Sequence, residues 1–260
     1  RREHQADRVV LHVRRDDEWL AYLPMACVGD AFYTLIMSLV VGFTCNCPES
    51  PETVQRDLRE LGPSVVLAPP RIWENMLTSV QVRAADSTPL KRWVFERCRD
   101  VAERAEILRA DGEPIPLPLR LACLLGEFFV YGSIRDQLGL RRARFAYTGG
   151  APLGPDTYRF FRSIGVNLKQ VYGITEVTGF VSQQPDAEAN PTTAGRPYPG
   201  IEIRIAERGE VLIRWAGVFK GYFKGEEATR EVLDADGWFH TGDAGFLDTR
   251  GHLVIIDRAK

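Results

Sequence analysis

An α/β fold is predicted: parallel sheets flanked by helices, followed by a smaller, mostly-β subdomain. Three observations predict it. Apolar strand-like runs alternate with helix signals between residues 19 and 171. One long amphipathic helix fills 89–110. After a polar stretch at 182–200 the texture changes to short β-rich runs. With 260 residues, 45% of them hydrophobic, the chain is long and apolar enough to bury a core.

Trp19 to Leu23 reads as a buried strand that ends at Pro24, and residues 30–41 as an apolar helix. Ser50-Pro51-Glu52 reads as a helix start, with a capping serine and proline in the first turn. Val54, Leu58 and Leu61 follow at helical spacing, and Gly62 stops the run. Ser64 to Ala68 is the next strand. Strand, helix, strand at this spacing implies parallel pairing.

In the 89–110 helix, Val94, Cys98, Val101, Ala105 and Leu108 form one apolar stripe among Arg and Glu residues. The charged side reads as a solvated face laced with i,i+4 pairs. Asp111-Gly112 and three prolines make a loop, and a second apolar helix covers about 119–138. A strand at 144–148, a helix at about 154–164 and a strand at 166–171 follow. Strands at 201–205 and 210–214 flank an Arg208-Gly209 hairpin turn, with a short helix near 226–233 and strands at 244–247 and 252–256. The domain reading is an α/β part over 1–190, a β-rich part over 191–256 and a short terminal segment over 257–260.

Charge and cysteine usage narrow the function classes. The formal net charge is −2, without a block of like charge, so a nucleic-acid partner is not indicated. Cys45 and Cys47 have no second C-x-C or His pair nearby, so the five cysteines read as reduced, mostly buried thiols rather than a zinc site. Arg1 to Gln5 is polar and no apolar run follows, so no signal peptide is expected, and the location expected is cytoplasmic. Ala31 to Cys45 reads as the most apolar stretch. It falls short of the roughly 20 residues of a membrane span. It reads as a buried helix and leaves peripheral membrane contact open.

Three glycine-bearing turns carry the chemistry. Tyr147-Thr148-Gly149-Gly150-Ala151-Pro152-Leu153 follows a strand, and two glycines there let backbone approach a flat ligand; a tight strand-to-helix turn explains it equally. Gln170-Val171-Tyr172-Gly173-Ile174-Thr175-Glu176 gathers an aromatic face, a flexible glycine, a hydroxyl and a carboxylate. A purine can stack on Tyr172, Thr175 can donate to a phosphate oxygen, and Glu176 can help hold Mg²⁺; the alternative is a buried Tyr and a surface Glu. In Trp238-Phe239-His240-Thr241-Gly242-Asp243, an aspartate on a loop between strands can accept from a ribose diol, although Asp after Gly is also a common turn.

In this order and spacing the three turns resemble the ANL superfamily of adenylate-forming enzymes, and the similarity runs along essentially the whole chain. The resemblance leans toward long-chain and very-long-chain acyl-CoA synthetases through Tyr22-Leu23-Pro24-Met25-Ala26-Cys27, with Cys27 where Trp or His is expected, through Ala68-Pro69-Pro70-Arg71-Ile72-Trp73-Glu74, and through the helical stretch 89–138. It implies part of the large N-terminal domain. It implies nucleotide contacts at Gly149, Gly150, Ala151, Gln170, Tyr172, Gly173, Thr175, Asp243, Ile255 and Arg258, with Thr175 and Glu176 catalytic, Glu176 holding the metal, and Lys260 a hinge. The Ser/Thr/Gly-rich phosphate loop would precede residue 1 and the small C-terminal domain would follow Lys260, so the chain alone is expected to be inactive. ATP or AMP, Mg²⁺, CoA and a fatty acid are the implied ligands. A pocket near Gly149-Gly150 and Tyr172, lined in part by residues 25–43, is the expected acyl site. Two alternatives stand beside this reading: a fatty-acyl-AMP or aryl/short-acid ligase, and a non-catalytic nucleotide- or acyl-binding module.

Overall fold

The computed structural model describes residues 13–258. The polar opening Arg1 to Gln5 and the hinge residue Lys260 lie outside the described residues. The chain divides into two compact units, one formed by Val13–Pro24 with Tyr33–Leu168, the other by Met25–Phe32 with the chain from Lys169 onward.

The first unit is built on four parallel strands: β1 (Glu18–Leu20), β2 (Thr44–Asn46), β3 (Val65–Ala68) and β4 (Phe145–Thr148), in the order β2-β1-β3-β4. Strand β3 is buried along its whole length, as a parallel strand covered on both faces should be. β2 has no counterpart in the sequence reading, because three residues centred on a cysteine carry no alternation signal. The sheet is tied by Asp17, which is buried, accepts from Ser64 Oγ at 2.6 Å and from Arg144 Nε at 3.0 Å, and forms an ion pair with Arg144. Burial alone would raise the Asp17 carboxyl, but the Arg144 and Ser64 hydrogen bonds outweigh it and hold it below its ordinary value.

Helix α1 (Val28–Val41) passes through a π-type segment at Phe32–Met37. Tyr33 is buried and stacks on Trp19 at 4.7 Å. The buried helix expected here is not found: Leu35, Ile36, Leu39 and Val40 are exposed, Leu39 by 85%. A helix that packs through one stripe leaves its remaining apolar residues in solvent.

Helix α2 (Val54–Leu61) begins three residues later than its sequence signal suggested. Ser50 does not cap it: its N–H donates to Thr53 Oγ1, which donates back to Ser50 O, and the prolyl segment forms turns. Helix α3 (Pro70–Ala85) was not anticipated. It starts on Pro70, whose fixed φ suits the first helical position, and its Trp73 is fully buried, donating to Ala68 O at 3.1 Å and Tyr147 O at 3.3 Å.

Helix α4 (Pro89–Ala110) matches its expected bounds, but its charged face is not uniformly solvated. Glu106 is buried and accepts from Arg162 Nε at 2.7 Å on α6 (Pro155–Ser163) while also pairing with Arg109. Helix α5 (Leu117–Gln137) is, among the described residues, the one stretch long and apolar enough to cross a membrane by length and composition, and only 17% of its most apolar 18 residues are buried. None of the five cysteines is disulfide-bonded, and none is fully buried, contrary to the expectation of mostly buried thiols.

The second unit holds β5 (Leu168–Ile174), β6 (Gly179–Gln183) and β7 (Arg196–Pro197), paired antiparallel, so the polar stretch 182–200 is not simply a loop. It also holds an antiparallel sheet in the order β11-β10-β9-β8, made of β8 (Glu202–Ile205), β9 (Glu210–Arg214), β10 (Phe239–Leu247) and β11 (Leu253–Arg258), with the short helix α7 (Glu226–Val232) before β10. Its core comprises Val177, Val181, Val211, Ile213, Phe239 and Leu253. Alternating burial along β10 shows one face packed and one face available, as a one-sided antiparallel sheet requires.

Candidate functional site

Tyr172 lies on β5 and its ring is partly buried against the core. Its hydroxyl donates to Asp243 Oδ2 at 2.6 Å, and Arg258 Nη1 stands 3.1 Å from Asp243 Oδ1. Burial, reinforced by the carboxylate beside it, pushes the Tyr172 phenol far above its ordinary value, so it remains a donor. Three residues separated by up to 86 positions (258 − 172) thus form one chain of contacts.

The backbone explains how Asp243 is presented. The Thr241-Gly242-Asp243 segment is not a loop between strands but an irregularity inside β10, whose register against β9 shifts between His240 and Ala244. Gly242 sits at φ +68°, a conformation that glycine enters without strain. Glu210 braces the bulge with both oxygens, accepting from Gly242 N at 3.0 Å and lying 3.1 Å from His240 Nδ1. Thr241 Oγ1 donates to Val211 O at 2.7 Å and accepts from Asp243 N at 3.0 Å. A bulge re-aims a side chain at the point where ladder pairing breaks.

Thr175 and Glu176 sit in a short 3₁₀ turn directly after β5, Thr175 exposed and Glu176 half-buried. The turn is strapped to the 217–225 segment: Phe219 N donates to Glu176 O at 2.8 Å, Thr178 Oγ1 to Gly217 O at 2.6 Å, and Tyr222 Oη to Glu176 Oε1 at 2.8 Å.

Other predicted site residues have structural duties. Gly173 is not needed for flexibility: a Cβ there would lie 1.9 Å from Gly179 O on the neighbouring strand. The buried Gln170 amide donates to Pro191 O at 2.8 Å and Thr193 O at 3.2 Å, fixing the 190–193 loop. Ile255 packs against the core of the antiparallel sheet. Gly149, Gly150 and Ala151 belong to the first unit, in the turn after β4. Gly150 has φ +85°, and a Cβ there would meet no atom within 4 Å, so backbone conformation alone calls for glycine.

Sequence reading missed Glu210 and Tyr222, and gave no role to Thr241, which it named within the third turn. Glu210 and Thr241 act through a bulge that no periodicity marks, and Tyr222 is 46 positions from the carboxylate it contacts.

Among the described residues no three His, Cys, Asp or Glu side chains converge into a metal cage. Glu176 is a single accessible carboxylate. That donor set does not suit a resident, protein-caged ion. It suits Mg²⁺ carried on a nucleotide, which keeps waters and phosphates in its shell and takes one or two protein carboxylates.

The AMP-binding enzyme family matches residues 3–223, and the chain belongs to that family. A putative fatty-acid–CoA ligase of Mycobacterium tuberculosis, fadD11, is 32% identical over 96% of this chain and 44% of its own length. The peroxisomal long-chain acyl-CoA synthetase 7 of Arabidopsis thaliana is 30% identical over 94% of this chain and 35% of its own. Among solved structures, the N-terminal domain of FACL13 from Mycobacterium tuberculosis superposes with a TM-score of 0.62 at 25% identity, covering 95% of this chain and 52% of that one. The chain therefore spans less than half the length of these two curated relatives. The α/β fold with a smaller antiparallel sheet is that of adenylate-forming N-terminal domains, as expected.

Proposed function

We propose that the full-length protein carrying this chain is an AMP-forming long-chain fatty acyl-CoA synthetase. The observation that supports this most directly is the Tyr172–Asp243–Arg258 contact chain, whose Tyr172 lies on the strand that runs directly into the turn of Thr175 and Glu176. The ring of Tyr172 offers a face for a purine. Asp243, held from both sides, is the acceptor for a ribose diol, and Thr175 is the donor for a phosphate oxygen. Glu176 would hold Mg²⁺, which when bound neutralises phosphate charge.

In the proposed reaction the fatty carboxylate attacks the α-phosphorus of ATP and pyrophosphate leaves. The CoA thiol then attacks the acyl carbon, losing its proton, and AMP leaves. This chain's part is positioning, which lowers a barrier by fixing the reacting groups in line. Incubating the full-length protein with ATP, Mg²⁺ and single acids from acetate through aryl acids to long-chain fatty acids tests the reading. Adenylate formation with long-chain acids, followed by CoA-dependent thioester release, is the expected result. Preference for aryl or short acids, or adenylates that CoA does not discharge, would favour the other ligases; no adenylate with any acid would favour a binding module.

Peripheral contact with an anionic lipid surface, from a cytoplasmic location, belongs to the same proposal. Leu117, Leu121, Leu124 and Phe128 recur at helical spacing on α5, and all four are exposed. Beside them a groove of about 880 Å³ is walled by apolar side chains, while Arg83, Lys91 and Arg97 line it without any acidic residue. Tyr131, buried on the opposite side, donates to Cys98 O at 2.5 Å on α4. A helix packed along one side, with charges at Arg120, Glu127, Arg135 and Asp136, suits lying on a bilayer rather than crossing it.

A further inference from the structure

We propose that Tyr222 is a positioning residue for Glu176, holding its carboxylate so that one oxygen is kept on the protein and the other is presented to the nucleotide-borne metal. This rests on the reading of Glu176 as the metal's carboxylate and adds the residue that aims it.

The geometry carries it. Tyr222 Oη donates to Glu176 Oε1 at 2.8 Å, leaving Oε2 for another partner. The tyrosine is itself fixed: its N–H donates to Thr229 Oγ1 at 2.9 Å, its carbonyl accepts from Gly225 N at 3.0 Å, and its ring meets Phe219 edge-on at 4.9 Å. Gly221 at φ +140° and Lys224 at φ +57° give the strap its tight course, the latter a left-handed conformation that a lysine adopts only when its surroundings impose it. The strap is also joined to the Glu176 turn through backbone, by Phe219 N to Glu176 O. With the main chain of the turn already fixed, the remaining freedom lies in the Glu176 side chain, and the Tyr222 hydroxyl removes part of it.

Packing alone would need only a ring. Phenylalanine keeps the contact with Phe219 and deletes the hydroxyl, so Tyr222→Phe separates the two roles. Outer hydrogen-bond partners of metal ligands typically contribute 10–100-fold to metal affinity, and for a half-exposed carboxylate we expect about tenfold.

The test is an electron paramagnetic resonance titration of Mn²⁺ in the presence of ATP, run on the full-length protein as wild type, Glu176→Ala and Tyr222→Phe. AMP affinity by calorimetry and melting temperature are read alongside. Tyr222→Phe should weaken Mn²⁺ binding about tenfold while AMP affinity and melting temperature stay at wild-type values. Unchanged Mn²⁺ affinity in Tyr222→Phe, with Glu176→Ala clearly weakened, would overturn the positioning role and leave the metal reading intact. A parallel fall in AMP affinity and melting temperature would make the hydroxyl merely structural and overturn the proposal as well. If Glu176→Ala binds Mn²⁺ like wild type, or wild type binds none, the metal reading itself fails, and the positioning role with it.

Discussion

The Tyr172 hydroxyl and the Asp243 carboxylate are joined by a 2.6 Å hydrogen bond across 71 positions of sequence. With Arg258 on its other oxygen, Asp243 is restrained to one orientation in a nearly closed environment. An acceptor restrained before its ligand arrives loses less freedom on binding.

Asp243→Ala should therefore weaken AMP binding strongly. A charge-assisted hydrogen bond contributes about 1.5–3 kcal/mol, which corresponds to roughly 10–150-fold in dissociation constant. Tyr172→Phe keeps the ring and removes only the hydroxyl, so a smaller loss, about threefold to tenfold, is expected from looser placement of Asp243. Calorimetric titration with AMP reads both. Equal affinity in wild type and Asp243→Ala would remove Asp243 from the nucleotide site.

Glu176→Ala should separate chemistry from binding. Pyrophosphate exchange in the full-length protein is expected to fall at least a hundredfold, in the range of lost electrostatic stabilisation, while AMP affinity changes less than about threefold. Equal losses in both would argue against a metal role.

The α/β plan was readable because β3, β4 and α4 carry strong, unbroken patterns. Hidden features arose wherever tertiary contact set the outcome. The three-residue β2 forms because β1 offers a parallel edge, with Trp19 opposite Cys45. The stripe at 54, 58 and 61 was legible on α2, but its first turn was not, since Thr53 rather than Ser50 organises the entry. At the site, the motif resemblance points to Tyr172, Asp243 and Arg258, which lie in contact, whereas Gln170 and Gly173 hold backbone segments together.

Asp17 gives a pH prediction. Its carboxyl is held below the ordinary value, so it contributes stability above the unfolded-state value and loses it as pH falls through the lower, folded-state one. Melting temperature should thus drop in wild type below the ordinary aspartate value of about 3.9, with the Asp17 contribution absent from Asp17→Asn. At neutral pH, Asp17→Asn should cost about 3 kcal/mol, the lower end for breaking a buried pair, because Arg144 is partly exposed. Denaturant unfolding at pH 7 and pH 3 checks both; an equal gap between wild type and variant at the two values would sink the assignment.

Two glycines should respond in opposite degree. Gly173→Ala places a methyl 1.9 Å from Gly179 O and should prevent soluble folding or separate β5 from β6. Gly150→Ala meets no atom within 4 Å and loses only through its left-handed backbone, about 1–2 kcal/mol. Thermal melts of the purified variants distinguish these outcomes.

Phe128→Asp should abolish co-sedimentation with vesicles containing anionic phospholipid, and Arg83→Gln with Lys91→Gln and Arg97→Gln should weaken it severalfold. Neither change touches the AMP cluster, so AMP affinity should persist. If wild type sediments with no vesicle, or Phe128→Asp instead converts a dimer to a monomer in ultracentrifugation, the lipid surface is the wrong occupant.

The irregularity in β10 limits how the gene can drift. Point changes at 240–243 alter the contacts of one side chain, but loss or gain of one codon there would re-phase the strand, exchanging its inward and outward sets and carrying Asp243 away from Tyr172. Length, more than spelling, is what this segment cannot give up.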